Sequence, residues 1–181
     1  MFLDHRCTPL TRRRFLRLAG AAGALFAFGA RAATGPRELA FHHLHTGENL
    51  RAEYWRDGRY EPDALRAIDR VLRDHRTGTV APIATDLLDF LHRLNATLDT
   101  RAPMQIICGY RSRATNEMLH RNTTGVATNS LHLDGRAIDL RIPGVPLARL
   151  RDAALAQRFG GVGYYPGSDF VHVDNGRPRR W

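Results

Sequence analysis

The sequence predicts an α+β domain, a small and mostly antiparallel sheet flanked by helices. Three observations lead there. Amphipathic helical repeats fill the first half of the mature chain, short strand-like runs cluster in the second half, and no βαβ nucleotide fingerprint or internal repeat occurs. At 181 residues, 43% apolar and 25% charged, the chain has the size and composition of one globular domain.

Residues 1–32 read as an export signal rather than as fold. Arg12-Arg13 precede Phe15 and Leu16, an uncharged run follows from Leu18 to Ala30, and Ala30-Arg31-Ala32 supplies a small-residue cleavage site. This order predicts a twin-arginine (Tat) signal peptide cleaved after Ala32, hence a periplasmic protein. The 13-residue run is too short to span a bilayer of ~30 Å as a helix, so no membrane span is expected after cleavage. All 27 basic residues are Arg, and the whole chain carries +9. The first 32 residues hold six Arg and one Asp, so removing their net +5 leaves +4. That balance and the export signal disfavour a nucleic-acid partner. Cys7 leaves with the signal, and Cys108 remains as a lone thiol expected to be buried in the run Met104–Cys108.

After a linker at 33–37, the domain is expected to occupy residues 38–181. Glu38–His45 and Asn49–Arg56 flank Thr46-Gly47-Glu48 as a hairpin, with Asp57-Gly58 closing the second strand. Pro62 opens a helix carrying Leu65, Ile68, Val71 and Leu72 at helical spacing, and a second runs from Ile83 to Leu98 on a leucine stripe. His75 and His92 are placed in these helices as surface or rim residues. Met104–Tyr110 reads as a strand, Ser112–Asn122 as a short helix and Thr123–Leu131 as a polar loop. Arg136–Ile142 is a strand, Pro146–Arg158 a helix, and Gly160–Tyr165 and Phe170–Asp174 two strands around Pro166-Gly167. Tyr164 and Tyr165 alternate faces, so one belongs to the core and the other to a groove. His42, His43 and His45 lack a carboxylate at comparable spacing, which favours structural roles over a second metal cluster.

Alternation along the two late strands carries the chemistry. Ala137, Asp139 and Arg141 share one face, opposite Ile138 and Leu140, while His172 and Asp174 oppose Val171 and Val173. If the strands are neighbours, Asp139 meets His172, and His132 can close over both. Two imidazoles and one carboxylate form the three-residue donor set of a catalytic zinc site, with the fourth position left for water.

The run Ser130-Leu131-His132-Leu133-Asp134-Gly135-Arg136-Ala137-Ile138-Asp139 resembles the S-x-H-x-x-G-x-A-x-D signature of the zinc D-alanyl-D-alanine carboxypeptidase family, which is grouped with lysostaphin and the hedgehog domain. His45-Thr46-Gly47-Glu48, Gly109-Tyr110-Arg111-Ser112, Gly161–Pro166, Phe170–Asp174 and Trp181 narrow the resemblance to its murein endopeptidase K-like branch. The resemblance implies His132, Asp139 and His172 as ligands of one Zn²⁺ per chain. It also implies a peptidase acting on peptidoglycan stems or cross-links. Related branches place an acidic residue three positions before the last histidine, here Asp169, as the general base. Asp174 is the neighbouring alternative, and Asp134 a third that more readily shapes the turn before Gly135. Arg111 matches a family arginine that holds substrate or stabilises the oxyanion. Ser130 is expected to hydrogen-bond within the ligand loop rather than act as a nucleophile. The expected activity is cleavage of cross-links. The alternatives are D,D- or L,D-carboxypeptidase trimming and a non-catalytic, zinc-stabilised peptidoglycan-binding domain.

Overall fold

The computed structural model describes residues 35–122 and 127–181. The expected signal peptide, its cleavage site and the first two linker residues, 33 and 34, lie outside the described residues. Eight strands form one mixed sheet: β1 (Arg37–His43), β2 (Asn49–Arg56), β3 (Arg59–Tyr60), β4 (Met104–Cys108), β5 (Ala137–Arg141), β6 (Gly161–Tyr165), β7 (Phe170–Asp174) and β8 (Arg179–Arg180). Their order across the sheet is β3-β2-β1-β4-β5-β7-β6-β8. Pairing is antiparallel except for β1 with β4 and β6 with β8. Among the described residues the α-helices are α1 (Pro62–Val71), α2 (Thr85–Leu98), α3 (Arg113–Asn122) and α4 (Leu147–Ala156). The α+β class holds, with a larger sheet than the sequence suggested and with two strand pairs that are parallel.

The core forms as the periodicities require. Ile68 and Val71 of α1 and Leu87, Leu88, Phe90, Leu91, Leu94 and Leu98 of α2 are buried against Leu39 and Phe41 of β1, Ile106 of β4, Ile138 and Leu140 of β5 and Val171 and Val173 of β7. Each buried Leu, Ile or Phe contributes about 1.5–3 kcal/mol relative to exposure. Because Ile138, Leu140, Val171 and Val173 point into this core, period-2 alternation turns Asp139 and His172 to the opposite side, the site face.

Two expectations fail locally. His75 lies beyond α1, because the helix ends at Val71 and the chain turns at Asp74, whose carboxylate accepts from the Arg76 and Thr77 amides. Its ring stacks on His45 at 4.1 Å and meets the buried His43 edge-on at 5.6 Å. Cys108 is not enclosed in the apolar run. A bulge between Ile106 and Cys108 shifts the register, and Cys108 stands across from Asp139 on the site face.

Candidate metal centre

Strands β5 and β7 are antiparallel neighbours, and Asp139 stands directly across from His172. His132 arrives from a 3-10 turn at Leu131–Asp134. Ser130 caps that turn, its hydroxyl oxygen accepting from the His132 amide at 3.4 Å. Gly135 ends it at φ 65, where a Cβ would collide with the Pro82 carbonyl. The turn is thereby pressed against the loop before α2, and His132 and Asp139 are 2% and 6% exposed.

The ring nitrogens are assigned by their partners. His132 Nδ1 lies 2.7 Å from the Gly109 carbonyl oxygen, which can only accept, so Nδ1 donates and Nε2 keeps its lone pair. His172 Nε2 lies 3.0 Å from Asp174 Oδ2 and its Nδ1 2.8 Å from Asp139 Oδ1, so with Nε2 donating to Asp174, Nδ1 is the nitrogen turned to Asp139 that a metal ion would take. His132 Nε2 is 3.3 Å from both Asp139 Oδ1 and His172 Nδ1. Three candidate ligand atoms thus face one another at 2.8–3.3 Å. Ligands held tetrahedrally at 2.0–2.1 Å from zinc are separated by ~3.3 Å, so this donor set fits the ion. Burial opposes charge on His132, but the negative charge of Asp139 outweighs it and raises the imidazole's pKa, so this pocket favours a cation. Burial likewise opposes ionisation of Asp139, yet His132 and His172 hold its carboxyl well below the usual range.

A second layer fixes His172. Asp174, 1% exposed, also accepts from Arg179 at 2.7 Å and from the Gly161 and Gly176 amides at 3.0 and 2.8 Å. Burial would raise its carboxyl, but these hydrogen bonds, led by that of His172, hold it well below the carboxylate range. A carboxylate behind an imidazole sets its tautomer and ring angle, as metal-binding histidines require. Arg179 reaches Asp174 by crossing β6 over Gly161, where a side chain would collide with the guanidinium. Neither β8 nor the crossings at Gly161 and Gly163 follow from hydrophobic periodicity. The signal was the alternation Gly161, Gly163 on one strand face, where ordinary strands carry side chains.

Arg111 sits beside the same donors. Its Nη2 is 3.9 Å from Asp139 Oδ2 and 3.5 Å from Cys108 Sγ, and Nη1 donates to Asn116 Oδ1 at 3.3 Å. Its Nε–H is buried and has no acceptor among the described residues. The arginine is placed from both flanks: its amide donates to the His132 carbonyl at 3.0 Å, and the next residue, Ser112, donates from amide and hydroxyl to Asp74 at 2.9 and 2.6 Å. Cys108, His132 and Asp139 form a second donor set, with one ligand atom from each lying within 4.8 Å of the others.

Asp169 is placed differently. The 3-10 turn Pro166–Ser168 ends on Asp169 at φ 55, and its carboxylate pairs with Arg141 at 2.5 Å. Arg141 shares the face of Asp139 two residues along β5, and its Nε donates to Gln105 at 2.6 Å. The Asp169 side chain is 61% exposed and contacts none of His132, Asp139 or His172 among the interactions of the described residues. Asp134 is exposed. A cavity of about 540 Å³ lined by Glu38, Arg51, His92 and Arg101 contains none of these side chains.

The family model described as peptidoglycan L,D-endopeptidase MepK (Peptidase_M15_2) matches residues 31–181. The chain belongs to that family. It is 44% identical to the peptidoglycan L,D-endopeptidase MepK of Escherichia coli strain K12 over 176 residues, covering 94% of this chain and 96% of the relative. The same identity holds with the probable peptidoglycan L,D-endopeptidase MepK of Haemophilus influenzae over 147 residues, 81% of this chain and 79% of the relative. No solved structure matches. Membership makes this a peptidase of the murein endopeptidase K-like type, as the motifs around His132 and His172 suggested. No helix among the described residues is long and apolar enough to cross a membrane.

Proposed function

We propose that the chain is a zinc-dependent endopeptidase that cleaves L,D peptide cross-links of peptidoglycan, with His132, Asp139 and His172 holding one zinc ion. The observation that carries this reading is the convergence of His132 Nε2, Asp139 Oδ1 and His172 Nδ1 at 2.8–3.3 Å, in a chain whose relatives are named peptidoglycan L,D-endopeptidases. Zinc held there supplies Lewis-acid polarisation of the scissile carbonyl and a bound water acidified to about pKa 7.

The protein's own groups do the rest. Asp174 and the Gly109 carbonyl lock the two imidazoles in their donor tautomers. Arg111, whose Nη2 lies 3.9 Å from Asp139 Oδ2, offers its guanidinium charge to the carbonyl oxygen as negative charge develops. Asp169, on the rim beside Arg141, takes the proton of the attacking water and returns it to the leaving amine. Arg111 is thereby spent on the oxyanion and is not free to clamp a terminal carboxylate, which favours internal bonds over chain ends. Side-by-side digestion of cross-linked disaccharide-peptide dimers and uncross-linked pentapeptides, followed by mass spectrometry, tests this. Dimers are expected to become monomers before free D-alanine accumulates. D-alanine released well ahead of any dimer cleavage would make the enzyme a carboxypeptidase.

Such an enzyme works outside the cytoplasm, and we place it in the periplasm by the twin-arginine route, with cleavage after Ala32. Changing Arg12 and Arg13 together to Lys is expected to hold the precursor in the cytoplasm, because that pathway reads the arginine pair rather than the charge. Cell fractionation showing the same periplasmic mature form in this variant would refute the route.

A further inference from the structure

Trp181 is a large hydrophobic side chain left 49% exposed, and it lies against the candidate centre. Its indole sits 5.3 Å from the His172 imidazole, centroid to centroid. Beside it, Tyr165 and Phe170 stack at 4.5 Å. Nothing in the catalytic reading uses these rings. We infer that Trp181, flanked by Tyr165 and Phe170, is the binding platform for the aliphatic side chain of the residue next to the scissile amide.

The platform is built in advance. Gly163 gives the indole its floor: a Cβ there would lie 2.7–2.8 Å from three ring atoms. Trp181 Nε1 donates to the Tyr165 hydroxyl at 2.7 Å, and the Arg179 guanidinium packs 4.8 Å from the ring centre. The backbone is pinned as well, with the Trp181 amide donating to the Val162 carbonyl and its carbonyl accepting from the Tyr164 amide, at 3.3 and 3.0 Å. An aromatic side chain held this way has already lost its rotamer freedom, so a ligand does not have to order it.

Chemistry and reach select the occupant. The indole N–H is already bonded to Tyr165, so the exposed part of the ring offers apolar surface rather than a donor. Methylene groups suit it. The sugar does not reach: two residues separate it from the third residue of a stem peptide, and at ~3.3–3.6 Å per extended residue it lies on the order of 10 Å away. The platform touches the ring of His172 itself, so its occupant is the residue at the bond that is cut.

The inference rests on the peptidoglycan endopeptidase reading, and its test is separable from that reading. In a Trp55→Phe background, Trp181 is the sole tryptophan, and its emission reports binding without turnover. Titration with a disaccharide-tripeptide monomer is expected to change the emission, while the disaccharide alone leaves it unchanged. Trp181→Ala, and Gly163→Ala which displaces the ring without removing it, are each expected to lower kcat/KM on cross-linked dimers about tenfold through KM, the worth of roughly two covered methylenes. Zinc affinity should stay at the parent value in both. Zinc affinity falling in step with activity would make Trp181 a buttress of His172 and overturn the platform. An equal response to the disaccharide alone, or no response to either probe with unchanged KM, would overturn it too. If the parent protein shifts its emission with the monomer yet cleaves no dimer, the endopeptidase reading falls and the platform stands.

Discussion

Replacing His172 or His132 by alanine is expected to leave the protein folded, unable to retain zinc through dialysis, and slower in dimer cleavage by roughly a thousandfold or more. The size follows from losing several kcal/mol of Lewis-acid stabilisation of the transition state. Retained folding follows from position. Both rings lie on the face opposite the apolar core, and the strands carrying Asp139 and His172 are held from the other side by Ile138, Leu140, Val171 and Val173. The two variants should differ in what remains. Without His172, Asp174 loses the ring it orients but keeps Arg179 and two amides, so it stays satisfied. Without His132, the Gly109 carbonyl loses a buried donor, a loss of about 1–3 kcal/mol that should appear as a lower Tm. Zinc content by elemental analysis, circular dichroism and thermal melts check each part. Full zinc occupancy in both variants would refute the ligand assignment.

A graded version of the same experiment probes the layer behind the ligands. Arg179→Gln keeps both rings and the Asp174 carboxylate but removes the guanidinium that anchors that carboxylate at 2.7 Å. Losses of this kind usually cost 10–100-fold in metal affinity, so activity should return with excess zinc.

The parts of this molecule visible in the sequence are those that depend on local periodicity. The parity of Ile138 and Leu140 against Asp139, and of Val171 and Val173 against His172, foretold which side chains leave the core. The leucines of α2 marked their own helix. Pairing was another matter. No local pattern stated that β5 and β7 are neighbours, and the resemblance carried that step. Features made by backbone approach were illegible. Residues 179–180 look like a charged tail, yet they form a strand because Gly161 and Gly163 let Arg179 and Trp181 fold across β6. Cys108 was misplaced for a related reason: its apolar neighbours suggest burial, while the bulge at Ile106–Cys108 turns it toward Asp139. His75 lies outside α1 because Asp74 stops the helix with side-chain hydrogen bonds, a signal that competes with the helical stripe of Ile68, Val71 and Leu72.

Asp169→Asn is expected to keep zinc and fold while dimer cleavage drops about a hundredfold to ten-thousandfold, the usual contribution of a positioned acid–base group. Four carboxylates compete for the base. Asp139 faces the two imidazoles, Asp134 is exposed, and the Asp174 side chain is fully buried with its oxygens occupied by His172, Arg179 and two backbone amides. A carboxylate saturated in this way has no oxygen left to accept a proton from water. Asp169 is different in kind, because it reaches solvent at 61% exposure and has one partner on the site face, Arg141. That ion pair is exchangeable: an exposed pair of this sort is worth about 0–1 kcal/mol. Opening it would therefore cost little beside the barrier that a base at Asp169 would remove. Arg141→Gln should release the carboxylate from its partner and leave zinc content untouched. Asp174→Asn should instead weaken zinc binding 10–100-fold and recover activity when zinc is in excess. The discriminating comparison is turnover at saturating zinc. Normal turnover in Asp169→Asn beside an inactive Asp174→Asn would transfer the proton to the carboxylate behind His172 and end the assignment to Asp169.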